Sequence, residues 1–171
     1  IVQHCKFTGT CDYPNIPEKI LVNGELRDFT ADYYTATKNV CYALKFKDAS
    51  NEYLSAYRWT NAATDTPFEV RVRWIKAEGK NLTVRDIAND DYWNSNNESD
   101  IVLQFPAVGY KFANGNSSGI GMMSYCWTSV EETPSQSGSA RGLLLYFLKG
   151  NYAYTGAFAA SWCCSVRCVK D

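Results

Sequence analysis

Alternation of apolar and polar residues marks several stretches of the chain as half-buried β-strands. The clearest is CYALKFK at 41–47, where a large apolar residue stands at every second position. At 68–75 (FEVRVRWI) apolar residues alternate with charged ones, so one face of that strand is predicted to be apolar and the other charged. Further strands are predicted at 53–59, 102–105, 125–129, 143–148 and 165–169.

A helical period replaces the alternation at 83–94. Thr83 and Asp86 resemble a capping box in which Asp stands for the usual Glu or Gln. Four apolar or aromatic residues between 84 and 92 fall on one helical face: Val84, Ile87, Ala88 and Tyr92. One short helix is therefore predicted here, followed by a polar, Asn-rich loop at 90–100. A second loop is predicted at the Gly- and Ser-rich residues 114–121.

The first 40 residues show neither period. They contain Pro14, Pro17 and a turn signal at Asn23-Gly24. We interpret residues 1–40 as an irregular lead-in packed on a domain formed by residues 41–171. A chain of 171 residues fits one such domain and can bury about 70% of the surface of its unfolded chain.

Composition narrows the classes of partner. The 17 basic and 18 acidic residues nearly cancel, which argues against nucleic acid or an anionic membrane as partner. Aromatic residues make up 15% of the chain, a level typical of surfaces that stack on ligands and also of an aromatic-rich β core. The sequence contains no run of 18 apolar residues and no signal-peptide pattern, so neither a membrane span nor a signal peptide is predicted.

Seven cysteines are many for a protein of the reducing cytosol, and none of them forms the C-x-x-C pair that would indicate a zinc site. We therefore predict export to an oxidising compartment, where cysteines form disulfides. The spacing of Cys5 and Cys11 suits a small disulfide clip. An odd count leaves at least one thiol without a partner inside the monomer. The residues alone leave the remaining connectivity open.

The motif that most resembles a catalytic signature is Gly-Asn-Ser-Ser-Gly at 115–119, which matches the G-x-S-x-G of hydrolases. No helical pattern follows Gly119, and the single histidine, His4, precedes the serine instead of following it. A catalytic thiol would also have to recruit His4 from the lead-in. An enzyme is therefore not predicted, and a hydrolase is the less favoured alternative.

Carboxylates and amides crowd the loop at 90–100 and are the oxygen ligands that calcium prefers. The loop lacks the spacing of an EF-hand, so no cofactor is predicted and calcium is kept as an alternative. Its members are Asp90, Asp91, Asn94, Asn96, Asn97, Glu98 and Asp100. Paired with Glu131 and Glu132 they also suggest glycoside hydrolysis, which requires a defined carboxylate separation.

A series of motifs resembles the Fibrobacter succinogenes major paralogous domain, whose pattern runs F-P-A-x-G-Y-R, a Gly-rich loop, Y-W-S-S-T, L-Y-F and a terminal S-V-R-C-V-K-D. This chain has IVLQFPAVGYK at 101–111, YCWTS at 125–129, LYF at 145–147 and SVRCVKD at 165–171. Upstream, CYALKF at 41–46, AYRW at 56–59 and 86–97 resemble the version found at the C-terminus of fimbrillin-like surface proteins of gut Bacteroidota. The resemblance covers roughly Cys41 to Asp171.

The resemblance implies a C-type-lectin-like α+β fold of mostly antiparallel strands, with one or two short helices and long loops. It implies an adhesin domain, outer-membrane-anchored or at a pilus tip, that binds a protein or glycan on another cell or host surface, with pilus subunits as further partners. A structural pilus or surface subunit without a specific ligand is the alternative. The sugar and calcium motifs of animal C-type lectins are absent.

The same resemblance implies structural roles for particular residues. Cys41 and Cys168 stand where the family also has Cys, and a disulfide between them is expected. The family usually has Tyr or Trp at the position of Cys126, and other residues at those of Cys163 and Cys164. Six positions are expected to belong to the core or scaffold: Phe105, Pro106, Tyr110, Trp127, Phe147 and Val166.

Residues 143–164 are interpreted as a variable ligand face. Related domains carry Asn, Ser and Tyr there, and the residue types of this chain can be reached from the Asn codon AAC by replacing adenines alone, as diversity-generating retroelements do. The predicted ligand contacts are Leu143, Leu148, Tyr152, Tyr154, Phe158 and Trp162. Large aromatics offer contact area at low entropic cost. The alternative is ordinary drift in a surface hairpin, with some of these residues in the core.

Overall fold

The structure, a computed structural model, describes residues 9–62, 69–95, 101–132, 141–148, 153–159 and 163–166. Six strands form the larger sheet: β1 (Cys11–Val22), β2 (Glu25–Thr35), β3 (Val40–Lys47), β4 (Ser55–Ala62), β5 (Glu69–Lys76) and β6 (Ile101–Pro106). The elements outside it are α1 (Asp90–Asn94), β7 (Tyr110–Lys111), β8 (Ser117–Ser118), β9 (Met123–Glu132), β10 (Arg141–Leu148), β11 (Ala153–Ala159) and β12 (Ser165–Val166).

A long hairpin opens the larger sheet. Asn23 and Gly24 both have positive φ, 50° and 82°, which is the conformation of a two-residue hairpin turn whose twist matches that of its strands. Val22 pairs with Glu25 directly across this turn. Pro14 and Pro17 are accommodated because β1 is the outer strand of the sheet, where a missing N–H donor leaves no hydrogen bond unmade.

The six strands follow one another as an antiparallel meander, and each face of the sheet carries a core cluster. One face carries stacked rings: the ring centroid of Trp59 lies 5.3 Å from that of Tyr57 and 6.3 Å from that of Tyr33. The first core cluster on this face comprises Ala31, Tyr33, Cys41, Ala43, Trp59, Val70, Val72 and Ala107.

The opposite face is covered by residues 77–95, which include α1. Asn89 caps this helix by accepting a hydrogen bond from Tyr92 N at 2.8 Å. Trp93 is fully buried, and its indole Nε1 donates to Ile87 O at 2.7 Å. The second core cluster on this face comprises Tyr42, Leu44, Ala56, Ile75, Ala77, Val84, Ile87 and Trp93.

The smaller sheet has the order β11-β10-β9-β12. β10 pairs antiparallel with β9 and β11, whereas β12 runs parallel to β9. β7 and β8 form a separate two-stranded pair. Among the described residues the fold is thus mostly antiparallel, with α1 as its one short helix, which confirms the coarser expectation of strands with few helices.

Two expectations about secondary structure need correction. Within the described part of the segment before residue 41, β1 and β2 replace the expected irregular lead-in; the two prolines of β1 interrupt the strand pattern in the sequence. The helix predicted from residue 83 begins only at Asp90. Thr83 does contact Asp86, with its N and Oγ1 each 2.7 Å from Asp86 Oδ2, but this contact closes a turn instead of starting the helix. The Asn23-Gly24 turn is confirmed, and the division at residue 40/41 stays a prediction.

Two of the six expected core positions are on the surface. Val166 is 72% exposed, and Pro106 is exposed as well. Phe105 packs against the first core cluster, and Tyr110 and Trp127 are partly buried. Val166 was misassigned because the short β12 lies beside β9 alone among the described strands, and no other described element covers this side chain.

Candidate functional site

The two sheets meet at residues 107–109 and 119–126. Gly109 N donates to Met123 O at 2.9 Å, and Gly121 N donates to Ala107 O at 2.7 Å. Gly109 has φ +69°, and a Cβ there would lie 2.3 Å from Ser118 O, so only glycine allows this close approach. The junction therefore depends on backbone contacts that the sequence Val-Gly at 108–109 makes possible.

A cleft opens at this junction. It encloses about 170 Å³. The residues that line it come from the end of β6, the loop after it, β9 and β12: Gln104, Phe105, Pro106, Val108, Ser124, Cys126, Ser165 and Val166. Strands that are distant in sequence thus supply its walls.

Exposed apolar side chains lie on the cleft wall and on the turn at 119–122 next to the junction. Among the side chains that the structure describes, which do not include those of β10 and β11, five large apolar ones are exposed. Val108 (49%) and Val166 (72%) line the cleft, and Ile120 (69%) and Met122 (52%) lie on the turn at 119–122, which bonds to the loop after β6 through Gly121 N and Ala107 O. We call these four residues the apolar rim. The fifth, Leu26, lies beside the β1–β2 turn. Scattered apolar residues are normal on a surface, but a group concentrated near one cleft points to an interaction site.

The floor of the cleft is polar and contains thiols. Ser124 and Cys126 are buried, with Ser124 Oγ 3.8 Å from Cys126 Sγ. Beside them, burial raises the pKa of the Cys164 thiol to about 11, and the neighbouring thiols of Cys126 and Cys163 add to this rise. Cys164 is therefore protonated at neutral pH, and a nucleophilic thiolate is not favoured at this position.

The β10–β11 hairpin holds four of the six predicted ligand contacts. Tyr154 pairs with Tyr146, and Phe158 pairs with Gly142. Because successive strand positions alternate between faces, positions 148, 154 and 158 share one face of the sheet and position 143 belongs to the other. Leu143 and Leu148 are in β10. Tyr152 and Trp162 lie outside the described residues.

The predicted disulfides also stay predictions. Cys11 and Cys41 are buried, a position compatible with a disulfide bond. Cys5 and Cys168, their expected partners, lie outside the described residues.

The alternatives that invoke a metal or a serine nucleophile receive no support here. No group of three or more His, Cys, Asp or Glu residues that could hold a metal ion is found within the described ranges. Of the calcium candidates, Asp90, Asp91 and Asn94 belong to α1, and the others lie outside those ranges. Residues 115–119 form a bend and β8, and Gly119 is followed by a turn at 120–122 and then by β9, not by a helix.

A buried charged cluster lies elsewhere, in the larger sheet. Lys45 Nζ lies 2.8 Å from Glu18 Oε1 and 3.1 Å from Tyr33 Oη. Tyr33 in turn donates to Glu18 Oε1 at 2.6 Å. Only 1% of the Lys45 side chain is exposed, so this cluster cannot contact a ligand and is assigned to the core.

No helix within the described residues has the length and apolar character needed to cross a membrane. The chain belongs to the family described as Domain of unknown function (DUF8237), whose model matches residues 2–169. Neither a curated protein nor a solved structure matches the chain.

The apolar rim is the feature that sequence reasoning missed. Ile120 stands in a segment that was predicted only as a Gly- and Ser-rich loop, Met122 follows that segment directly, and Val166 was expected in the core. The one available signal was the placement of three apolar residues beside glycines, at Val108, Ile120 and Met122. Their proximity depends on the junction contacts and could not be deduced from spacing.

Proposed function

We propose that this chain is a non-catalytic binding domain of an exported cell-surface or pilus-tip protein. It binds a protein ligand at the cleft between its two sheets. The observation that carries the proposal is that two exposed apolar residues, Val108 and Val166, line that cleft, and that two more, Ile120 and Met122, lie on the turn bonded to the neighbouring segment 107–109. Interaction surfaces place apolar residues in this way, whereas the remainder of a soluble surface scatters them.

The chemistry of the rim favours a protein over a glycan. Val108, Ile120, Met122 and Val166 are aliphatic or thioether side chains. Sugars are bound mainly by flat aromatic faces, by dense hydrogen bonding or through calcium, and the rim offers none of these. Methionine, which is flexible and polarisable, adapts well to apolar side chains of a protein partner.

We further propose a C-type-lectin-like fold related to the paralogous domain that the motifs resemble. Support comes from where those motifs lie. FPAVGY at 105–110, YCWTS at 125–129 and Ser165-Val166 each contribute residues to the cleft. A shared pattern that gathers around one cleft is expected if the pattern maintains a binding scaffold.

The neighbouring β10–β11 hairpin extends the proposed site. β10 pairs with β9, which lines the cleft through Ser124 and Cys126. Residues that vary on this hairpin would change the ligand without disturbing the junction. The gene tests whether a retroelement diversifies residues 143–164. Diversification predicts that their codons end mainly in C and that a template copy lies nearby, differing from them at adenines. If either feature is absent, that part of the proposal fails.

The alternative, a polymerising structural subunit, is disfavoured at the β1 edge. Pro14 and Pro17 remove two backbone donors from this outer strand. The strand also contains an irregularity between Tyr13 and Ile16, where Asn15 has φ 53°. Prolines and bulges are features that prevent strand addition at a sheet edge.

The test is a binding screen. The labelled chain is applied to an array of purified extracellular and cell-surface proteins and, in parallel, to a glycan array. We expect binding to one or a few proteins, and loss of that binding in an Ile120→Ser, Met122→Ser variant. The matched control is Leu26→Ser, which replaces an equally exposed apolar residue far along the chain. Binding to glycans alone, or equal binding by the rim variant, would overturn the proposal.

A further inference from the structure

The cleft between the two sheets is apolar at its mouth and polar at its floor. Val108 and Val166 line it and are 49% and 72% exposed, so they lie at the mouth. Ser124 and Cys126 line the same cleft with only 1% and 7% of their surface exposed, so they lie at the floor. A side chain that fills the cleft therefore meets apolar groups first, and a hydroxyl and a thiol last.

The hydroxyl of Ser124 has hydrogen-bonding capacity to spare. Within the described residues it has one contact, with Cys126 Sγ at 3.8 Å. Sulfur is a weak hydrogen-bond partner, whereas a hydroxyl can donate one bond and accept two. Because a buried hydroxyl without a strong partner is costly, the floor favours an occupant that brings a polar group to it.

The cleft also limits the charge and the size of its occupant. None of the eight residues that line it is Lys, Arg, His, Asp or Glu. A charged group that entered would lose its hydration without gaining a counter-ion, so a neutral occupant is favoured. The cleft volume of about 170 Å³ is close to the ~150 Å³ of a protein cavity that holds one benzene molecule. One six-membered ring therefore matches the available space.

We propose that the cleft takes up the side chain of one tyrosine of the protein ligand, with its ring between Val108 and Val166 and its hydroxyl bonded to Ser124 Oγ. This inference rests on the proposed function and names the ligand group that enters the cleft. Tyrosine is a neutral side chain with an apolar body and a polar tip, which is the order of groups that the cleft presents. Phenylalanine lacks the polar tip, and tryptophan carries its N–H on the side of a larger ring system. Tyrosine is also enriched among the residues that contribute most to binding at protein interfaces.

Three neutral amino-acid derivatives test the proposal: N-acetyl-tyrosinamide, N-acetyl-phenylalaninamide and N-acetyl-tryptophanamide. Each is titrated into the folded full chain, labelled with carbon-13 at its valine methyl groups. The shifts of the Val108 and Val166 methyl signals give the dissociation constants. We expect the tyrosine derivative to bind about fivefold more tightly than the phenylalanine derivative, which corresponds to one net hydrogen bond. The tryptophan derivative should bind more weakly than the tyrosine derivative.

Two serine variants separate the proposed hydrogen bond from a general effect on the cleft. Ser124→Ala should bind the tyrosine and phenylalanine derivatives equally, because only the bond to Ser124 distinguishes them. A merely structural role of Ser124 would weaken both derivatives and leave their ratio unchanged. The matched control is Ser117→Ala, which alters an exposed serine of β8 that does not line the cleft and should keep the wild-type ratio.

Several results would overturn the proposal: equal binding of the tyrosine and phenylalanine derivatives by the wild type, tighter binding of the tryptophan derivative, unchanged Val108 and Val166 signals, or a wild-type ratio in Ser124→Ala. The wild-type titrations decide the matter by themselves if Ser124→Ala fails to fold.

The titrations and the binding screen can fail separately. A protein ligand whose binding needs Ile120 and Met122 but none of its own tyrosines would leave the proposed function standing and overturn the tyrosine proposal. Selective binding of the tyrosine derivative without any protein ligand on the array would support the preference of the cleft and contradict the proposed function.

Discussion

Lys45 and Glu18 form an ion pair inside the larger sheet, with 2.8 Å between Nζ and Oε1. Three aromatic rings surround the ammonium group, with centroids 5.5 Å (Tyr33), 5.6 Å (Phe46) and 5.9 Å (Tyr57) from Nζ. Burial lowers the pKa of Lys45, and the Glu18 carboxylate partly opposes this shift. The lysine is thus stabilised by one carboxylate and by the faces of the rings.

Glu18→Gln should destabilise the fold by roughly 3–5 kcal/mol, because it leaves the buried Lys45 charge without its counter-ion. Adding Lys45→Met should restore most of the loss, since the apolar side chain suits the surrounding rings. Urea unfolding followed by tryptophan fluorescence measures both changes.

The control for this prediction is Asp28→Asn, which breaks the exposed pair of Lys19 and Asp28 in the same hairpin. Solvent screens such a pair, so little change is expected. A Glu18→Gln variant as stable as the wild type would show that the ion pair contributes nothing.

Stability should fall as the pH rises above about 10. Burial raises the pKa values of Tyr42, Tyr53, Tyr57 and Tyr92. A group whose pKa is higher in the folded state contributes stability that is complete below its unfolded pKa, about 10 for tyrosine, and is lost as the pH rises through the folded value. Lys45 has the opposite effect on stability in this pH range, because its pKa is lowered in the folded state. The four tyrosines outnumber this one lysine, so a net loss of stability is expected.

Tyr53→Phe should make this alkaline decline less steep, because Tyr53 is partly buried and its hydroxyl also bonds to Asp32. Melting temperatures between pH 8 and pH 11 measure the slope. Identical slopes for the variant and the wild type would contradict the assignment.

Gly109→Ala should disturb the junction far more than Gly115→Ala. Both glycines have positive φ, +69° and +87°, so alanine is strained at either position by about 1 kcal/mol. Only at Gly109 would the new Cβ also meet backbone, 2.3 Å from Ser118 O and 2.8 Å from Ile120 N. Thermal melting should show a severalfold larger decrease for Gly109→Ala. Equal decreases would mean that the close approach at the junction is not required.

Local sequence patterns predicted much of the larger sheet. β3 and β5 follow from strict alternation, and the β1–β2 turn from Asn23-Gly24, because these features depend on near neighbours. β1 escaped prediction because Pro14 and Pro17 exclude a central strand, and only the strand order reveals that it is an outer one.

The candidate site was less accessible to prediction. The exposure of Val166 depends on the parallel pairing of β12 with a strand some 40 residues earlier. The start of the helix depends on Trp93, whose bond to Ile87 O keeps residues 84–87 as turns packed against the sheet. Such long-range contacts leave no periodic signal in the chain.

The affinity of the rim variant for the first protein ligand found by the array tests the central claim most directly. Biolayer interferometry would compare the wild type, the Ile120→Ser, Met122→Ser variant and Leu26→Ser, each shown to be folded by circular dichroism. Central apolar contacts commonly carry 1–2 kcal/mol or more each, so the rim variant should bind at least tenfold more weakly. Leu26→Ser should bind like the wild type. Equal affinity of all three proteins would contradict a binding site at this cleft.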